Sequence, residues 1–184
     1  TFLPLSAPED LSAVLDHFPT LPLEAYFGED LYVHRPSPIT WAHLEKLGVP
    51  CTQLPPARVP LPWTKAMLQE EPGLLRQARD WFLSRYGWGY EAIFSNPYYL
   101  EITRKGSTKG DMVAEVARML DIAPEHIYCV GDNQNDIPML EQSAIPFAPS
   151  NCAREVREWG ARILCHCDDG VIGDIVEILD RLYP

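Results

Sequence analysis

The residues best placed to do chemistry lie at 131–136, in the order Gly-Asp-Asn-Gln-Asn-Asp, directly after the short apolar run 127–130. An unbroken apolar run of this length is typical of a buried parallel strand. Gly131 then permits a turn where a Cβ would obstruct the chain. Asp132 and Asp136 follow just past the carboxyl end of the strand, where two carboxylates are well placed to hold Mg2+. An Asx-rich turn that caps the next helix fits the same spacing.

Lys109 is the second candidate, because it begins a predicted helix over 109–120 after the flexible stretch 105–108. A lysine at that position can reach the same end of the sheet as Asp132. A cation beside a Mg2+-binding carboxylate pair suits a phosphoryl group. The alternative is a solvated lysine at a helix start, although the helix dipole makes that place slightly unfavourable for a cation.

The elements that must position these residues change character near residues 103–107. Before this boundary, apolar spacing predicts three helices, the second capped by Thr40, and a hairpin at 24–34 that turns around Gly28. The predicted helices cover 8–18, 41–47 and 72–86. Further strand-like runs at 63–69, 90–95 and 98–103 complete a small α+β unit.

After the boundary, helices and short apolar strands alternate regularly, which predicts a parallel sheet covered by helices. The predicted helices cover 109–120, 137–142, 151–159 and 171–182, and the strands cover 126–130, 144–148 and 162–165. The first of these helices is expected to turn its apolar residues toward the core, namely Met112, Val113, Val116, Met119 and Leu120.

Composition bounds the class of protein. The 184 residues carry a formal net charge of −11, which makes a nucleic-acid backbone or an anionic membrane a poor partner. No apolar run reaches transmembrane length, and the first residues do not form a signal peptide. Five scattered cysteines predict reduced thiols and a cytoplasmic location. Cys165-His166-Cys167 could suggest a soft metal, but without a second pair of ligands it is a weak indication of zinc.

From about residue 95 to its end, the sequence resembles the haloacid dehalogenase superfamily, specifically the Cof-type phosphatases with a type IIB cap. The matching segments are Tyr99-Leu100-Glu101-Ile102, Ser107-Thr108-Lys109-Gly110, 131–136 with Met139-Leu140, Asn151-Cys152-Ala153 and Asp168-Asp169-Gly170-Val171. The Lys-Gly pair followed by Gly-Asp-Asn-x-Asn-Asp is the specific part, and the resemblance covers a little under half of the chain. Residues 24–102 are similar to the family's cap by element content only.

The resemblance implies an α/β fold, in which a Rossmann-like parallel-sheet core, apparently incomplete at its N-terminus, carries an α+β cap. It divides the chain into an N-terminal segment at 1–23 that could be a remnant of the core, a cap at 24–102, and the C-terminal half of the core at 103–184. The cap is expected to close over the site and to select the substrate.

The resemblance also implies roles for individual residues. Lys109 neutralises the nucleophile and the phosphate, Asp132 ligates Mg2+, and Asp136 completes the metal site by orienting the water shell of the ion. Asn135 and Asn151 are expected to contact the phosphate or the substrate. The implied reaction is Mg2+-dependent hydrolysis of a small phosphorylated metabolite, such as a sugar phosphate, through an aspartyl-phosphate.

One departure from the family is serious. Its first motif, Asp-x-Asp-Gly-Thr, supplies the nucleophile, and no Asp-x-Asp occurs anywhere in the sequence. The sequence is therefore expected to lack pieces of a longer chain, and a protein of these residues alone is not expected to turn over phosphate esters. Two alternatives stay open, a catalytically silent phospho-ligand-binding module and a phosphomutase-type transferase.

Overall fold

The computed structural model describes residues 1–183, and the chain forms two compact units. The first unit runs from Thr1 to Ser107, and the second begins at Thr108. The N-terminal segment packs within the first unit, where Leu11 and Val14 are fully buried. The predicted division into 1–23, 24–102 and 103–184 stays a prediction. Among the described residues, no helix combines the length and the apolar character needed to cross a membrane.

The first unit is built on a six-stranded sheet. Its strands are β1 Leu23–Phe27, β2 Asp30–His34, β3 Cys51–Gln53, β4 Lys65–Gln69, β5 Tyr90–Asn96 and β6 Tyr99–Arg104. Its helices are α1 Ala7–His17, α2 Pro38–Leu47 and α3 Pro72–Tyr86. The strand order is β3-β2-β1-β4-β6-β5, and every neighbouring pair is antiparallel except β2 with β3.

Helices cover both faces of this sheet. Side chains of α1 and α3, such as Leu11 and Phe82, share one core with alternate residues of the strands. On the other face, Leu44 of α2 contacts β2. The predicted cap of α2 at Thr40 is wrong, because the hydroxyl of Ser37 accepts the Thr40 N–H at 3.2 Å and so caps the helix. Thr40 completes the same capping box from inside the helix.

A buried polar cluster lies under α2. Glu24 is fully buried, and its carboxylate accepts hydrogen bonds from the Tyr26 hydroxyl and from Gln69 Nε2, both at 2.7 Å. His43 Nδ1 lies 3.0 Å from the same carboxylate. Burial, the hydrogen bond to Glu24 and its negative charge raise the pKa of Tyr26. The cluster satisfies a carboxylate that would otherwise destabilise the core.

The second unit has the mixed α/β architecture that the alternation of elements predicts. Its strands are β7 Tyr128–Val130, β8 Ile145–Ala148 and β9 Arg162–Ile163, and its helices are α4 Lys109–Met119, α5 Ile137–Leu140, α6 Arg154–Trp159 and α7 Val171–Leu182. The strands are parallel, in the order β7-β8-β9. Leu140 of α5 and Val156 of α6 are buried on one face, and Ile175 of α7 packs with Phe147 on the other.

The predicted inward face of α4 is largely wrong. Val113 is half-buried, but four of the five predicted core residues are between 46% and 69% exposed, namely Met112, Val116, Met119 and Leu120. Helical periodicity identifies an apolar stripe but does not say what covers it. Among residues 1–183, no element buries this part of α4.

Candidate active site

The stretch 131–136 forms a tight loop at the carboxyl end of β7. Gly131 continues the ladder by donating its N–H to the Phe147 carbonyl at 3.1 Å, and the chain then folds back on itself. A Cβ placed on Gly131 would lie 2.4 Å from the Cβ of Asp136. Only glycine lets the Asp136 side chain lie directly against the end of the strand.

Asp136 is the centre of this loop. It is 3% exposed, and its Oδ2 accepts the backbone N–H groups of Asp132 at 2.9 Å and Asn133 at 3.1 Å. Its Oδ1 pairs with Nζ of Lys109. Burial by itself would raise the pKa of Asp136, but the Lys109 hydrogen bond and the two backbone donors outweigh it and hold the pKa below its usual range. In its carboxylate form, Asp136 therefore holds both the loop and the Lys109 side chain in place.

Asp132 is the outer carboxylate of the pair. Partial burial, followed by the negative charge of Asp136, raises the pKa of Asp132. Two neighbouring carboxylates whose pKa values move in opposite directions repel each other when both are ionised. A divalent cation relieves that repulsion, and carboxylate oxygens are the donors that Mg2+ prefers. The donor chemistry of this loop therefore fits a hard divalent ion.

Lys109 is held at the first position of α4 by a capping box. Thr108 Oγ1 accepts the Asp111 N–H at 3.1 Å, and Asp111 Oδ2 accepts the Thr108 N–H at 2.8 Å. The next residue, Gly110, is buried against the start of α5, where an added Cβ would lie 2.1 Å from the Pro138 carbonyl oxygen. Sequence reasoning missed the roles of Gly110 and the cap, although the spacing Thr108-x-x-Asp111 is a recognisable helix start.

The two asparagines have different surroundings. Asn135 lies half-buried in the 3-10 turn Gln134–Asp136, within the same loop as the two aspartates. Asn151 lies after β8, where its Oδ1 accepts the Cys167 N–H and its Nδ2 contacts Cys167 Sγ, both at 3.3 Å. The loops after β7 and β8 are joined by the Ala153 N–H, which donates to the Asp132 carbonyl at 2.7 Å. The structure thus brings Lys109, Asp132 and Asp136 together and places Asn151 in the neighbouring loop.

Comparison with known proteins identifies the family of this chain. The sequence model of the haloacid dehalogenase-like hydrolases matches residues 13–175. The chain belongs to the haloacid dehalogenase-like hydrolase family. The predicted family is confirmed, and the match extends well into the first unit, beyond the motifs that carried the resemblance.

The sequence matches to individual relatives cover only part of those proteins. YxeH of Bacillus subtilis is 35% identical over 69 residues, which is 38% of this chain and 26% of that protein. A phosphoglycolate phosphatase of Methanoculleus marisnigri is 29% identical over 96 residues, which is 50% of this chain and 38% of that protein. The chain therefore spans well under half the length of these curated relatives.

A solved structure agrees over almost the whole chain. The subclass IIB sugar phosphatase BT4131 superposes with a TM-score of 0.84 at 17% identity, covering 98% of this chain and 68% of that one. At this identity the likeness shows the fold. The haloacid dehalogenase-like fold is therefore established for the described residues, and the predicted fold class is confirmed.

Proposed function

We propose that the chain belongs to a Mg2+-dependent phosphatase that hydrolyses a small phosphorylated metabolite, such as a sugar phosphate, through an aspartyl-phosphate. The observation that carries this proposal is the ion pair of Lys109 with Asp136, beside the carboxylate of Asp132, at the carboxyl end of a parallel sheet. The sugar phosphatase that shares the fold and the phosphatase among the sequence relatives support the reaction class.

Each residue of the constellation has a defined task in this proposal. Lys109 is held by Asp136 so that its charge stays at the sheet end and neutralises a phosphoryl oxygen. Asp132 is the direct ligand of Mg2+, because the oxygens of Asp136 are engaged by Lys109 and the backbone. Asp136 thus acts in the metal site by positioning. The ion, when bound, neutralises charge on the transferring group.

The remaining predicted residues have supporting tasks. Asn135 contributes an amide to the phosphate from the same loop as Asp132, and Asn151 contributes one from the loop after β8. Residues 24–102 form the cap that selects the substrate, an assignment supported by the subclass IIB fold of BT4131. We further propose that the protein works in the cytoplasm and binds neither nucleic acid nor membrane, which its net charge of −11 supports.

A second candidate is a phospho-ligand-binding module without catalysis. The specific observation in its favour is that no Asp-x-Asp nucleophile motif occurs in the 184 residues. Such a module would use Lys109 and Asp132 to bind a phosphate and a cation, and it would release no product.

Phosphate release from p-nitrophenyl phosphate and from a panel of sugar phosphates, with and without Mg2+, decides between the two. Because the 184 residues contain no Asp-x-Asp nucleophile, the assay uses a protein that also supplies this motif. For the phosphatase we then expect Mg2+-dependent release that falls roughly 10²-fold or more in Asp132→Ala, since a catalytic metal contributes several kcal/mol. Asp180→Ala, on an exposed position of α7, is the matched control and should keep full activity.

Calorimetry with inorganic phosphate and Mg2+ completes the test. Binding without release in a protein that supplies the nucleophile motif would favour the silent module, and the absence of both binding and release would refute both candidates. Full activity in Asp132→Ala would show that the metal site is misassigned.

A further inference from the structure

The loop after β9 brings three different metal-ligating side chains together. It contains His166 and the 3-10 turn Cys167–Asp169. Within the turn, the Asp169 N–H donates to the His166 carbonyl at 3.0 Å and the Gly170 N–H to the Cys167 carbonyl at 3.4 Å. Just before it, the Ser150 N–H donates to the Cys165 carbonyl at 2.9 Å. The ligand atoms of His166, Cys167 and Asp168 all lie within 4.8 Å of one another.

The distances within this group resemble those of a tetrahedral metal site. Cys167 Sγ lies 3.8 Å from His166 Nδ1 and 3.5 Å from Asp168 Oδ1, and His166 Nδ1 lies 3.5 Å from Asp168 Oδ2. Ordinary Zn2+ bond lengths at tetrahedral angles place sulfur about 3.6 Å from nitrogen or oxygen, and nitrogen about 3.4 Å from oxygen. The two Asp168 distances involve different oxygens, and with one ligand atom per residue the three atoms lie within 4.8 Å of one another. A rotation of the exposed Asp168 side chain is therefore needed to bring a single oxygen near both the sulfur and the nitrogen.

We infer that His166, Cys167 and Asp168 form a binding site for Zn2+ or another thiophilic divalent ion, separate from the Mg2+ site proposed at Asp132. One sulfur, one imidazole nitrogen and one carboxylate oxygen are a ligand set that Zn2+ accepts and Mg2+ does not favour. Three protein ligands leave a fourth position for water or an exogenous ligand. The site therefore binds an exchangeable ion, unlike a closed structural centre.

The protonation states required for binding follow from the hydrogen bonds. The Asp168 N–H donates to His166 Nδ1 at 3.2 Å, so this nitrogen carries its lone pair toward the cluster and the proton resides on Nε2. Metal binding exchanges this hydrogen bond for a metal–nitrogen bond. The Cys167 thiol loses its proton to solvent as the metal–sulfur bond forms, so the affinity rises with pH.

Asn151 links this site to the sheet end where the phosphatase residues lie. It holds Cys167 through the backbone N–H and the sulfur at once, both at 3.3 Å. An amide that contacts a ligating sulfur in this way orients it, as partners of metal ligands do in known sites. An ion on Cys167 would therefore constrain Asn151, which we have assigned to the phosphate.

The test is a titration of the full chain with Co2+ and then Zn2+, in excess Mg2+ so that the Asp132 site is occupied. We expect a thiolate-to-cobalt charge-transfer absorption at one equivalent of Co2+, which Zn2+ then displaces. Cys167→Ser should abolish the absorption, and His166→Gln and Asp168→Asn should each weaken binding about tenfold or more. These side chains lie at the surface, and thermal unfolding of each variant verifies that it is folded.

Two matched variants control for nonspecific effects. Asp169→Asn removes the adjacent exposed carboxylate, which is not part of the group, and Cys51→Ser removes a thiol of the first unit. Both should bind Co2+ like the unmodified chain. The inference is overturned if no charge-transfer absorption develops, if it survives in Cys167→Ser, or if Asp168→Asn and Asp169→Asn weaken binding equally.

Discussion

Gly110→Ala is the sharpest test of how the helix bearing Lys109 is seated. The new methyl group would lie 2.1 Å from the Pro138 carbonyl oxygen and 2.5 Å from its carbon, whereas real Cβ atoms essentially never approach closer than 3.0 Å. The obstacle is backbone, so no side-chain rotation relieves it. Overpacking costs about 1–3 kcal/mol, and we take the upper end because the clash is rigid.

The magnitude follows from two opposing contributions. Alanine stabilises a helix by about 1 kcal/mol relative to glycine, so the net loss for Gly110→Ala is about 2 kcal/mol. Gly173→Ala in α7 is the matched control, since its Cβ would meet nothing within 4 Å. It should gain about 0.5–1 kcal/mol. The free energies of unfolding of the two variants should therefore differ by about 3 kcal/mol.

Urea denaturation with a fluorescence or circular dichroism readout measures this difference, provided that the m-value is unchanged. Displacement of α4 should also separate Lys109 from Asp136, so Gly110→Ala should weaken Mg2+-dependent phosphate binding while Gly173→Ala keeps it. Equal unfolding free energies for the two variants would refute the close packing of α4 on α5.

Three further outcomes are expected from the two aspartates of the loop after β7 and from the buried Glu24. The pKa of Asp136 is lowered on folding, so its ionised form stabilises the fold above the usual aspartate pKa of about 4, and that contribution is lost as the pH falls through the folded-state pKa. In urea denaturation, the free energy of unfolding of Asp136→Asn should therefore be about 2 kcal/mol lower than that of the unmodified chain at pH 7, and this difference should decrease as the pH is lowered. The pKa of Asp132 is raised, so ionised Asp132 costs stability at neutral pH, and Asp132→Asn should unfold at higher urea than the unmodified chain. Glu24→Ala leaves Tyr26 and Gln69 without their buried partner, so it should cost about 3 kcal/mol or more and lower the pKa of Tyr26 in an ultraviolet titration.

Local signals in the sequence predicted much of the site and many of the element positions. Pro72–Tyr86 and Val171–Leu182 begin and end where proline, glycine and apolar spacing place them. The loop after β7 was predictable because its residue types are adjacent in the chain. The order of elements predicted that Lys109 can reach the sheet end of Asp132, since a helix start and a strand end meet at one edge of a parallel sheet. The partner of Lys109, Asp136, emerged only from the structure.

Features that depend on distant partners were not predictable. Glu24 occupies a strand position that a charged residue normally takes only when it faces solvent, and its partners His43 and Gln69 lie 19 and 45 residues away. The prediction of an inward face for α4 was wrong for the same reason, because periodicity does not reveal which element, if any, covers an apolar stripe. The metal-ligand group at Cys167 was visible as residue types, but Asp168 and the supporting Asn151 emerge only from the turn geometry.

Both dipeptides that carry the proposed chemistry, Lys109-Gly110 and Gly131-Asp132, pair a charged residue with a glycine, and packing explains why. The position that a Cβ would take on Gly110 is occupied by the Pro138 carbonyl, and that on Gly131 by the Asp136 side chain. The carboxylate of Asp136 pairs with Lys109 and accepts the Asp132 N–H, so it contacts the charged residue of each dipeptide. The charged residues carry the charges proposed to bind phosphate and cation. The glycines allow the close backbone packing in which the buried Asp136 carboxylate contacts both Lys109 and Asp132. A substitution at either glycine should therefore disturb phosphate and cation binding together.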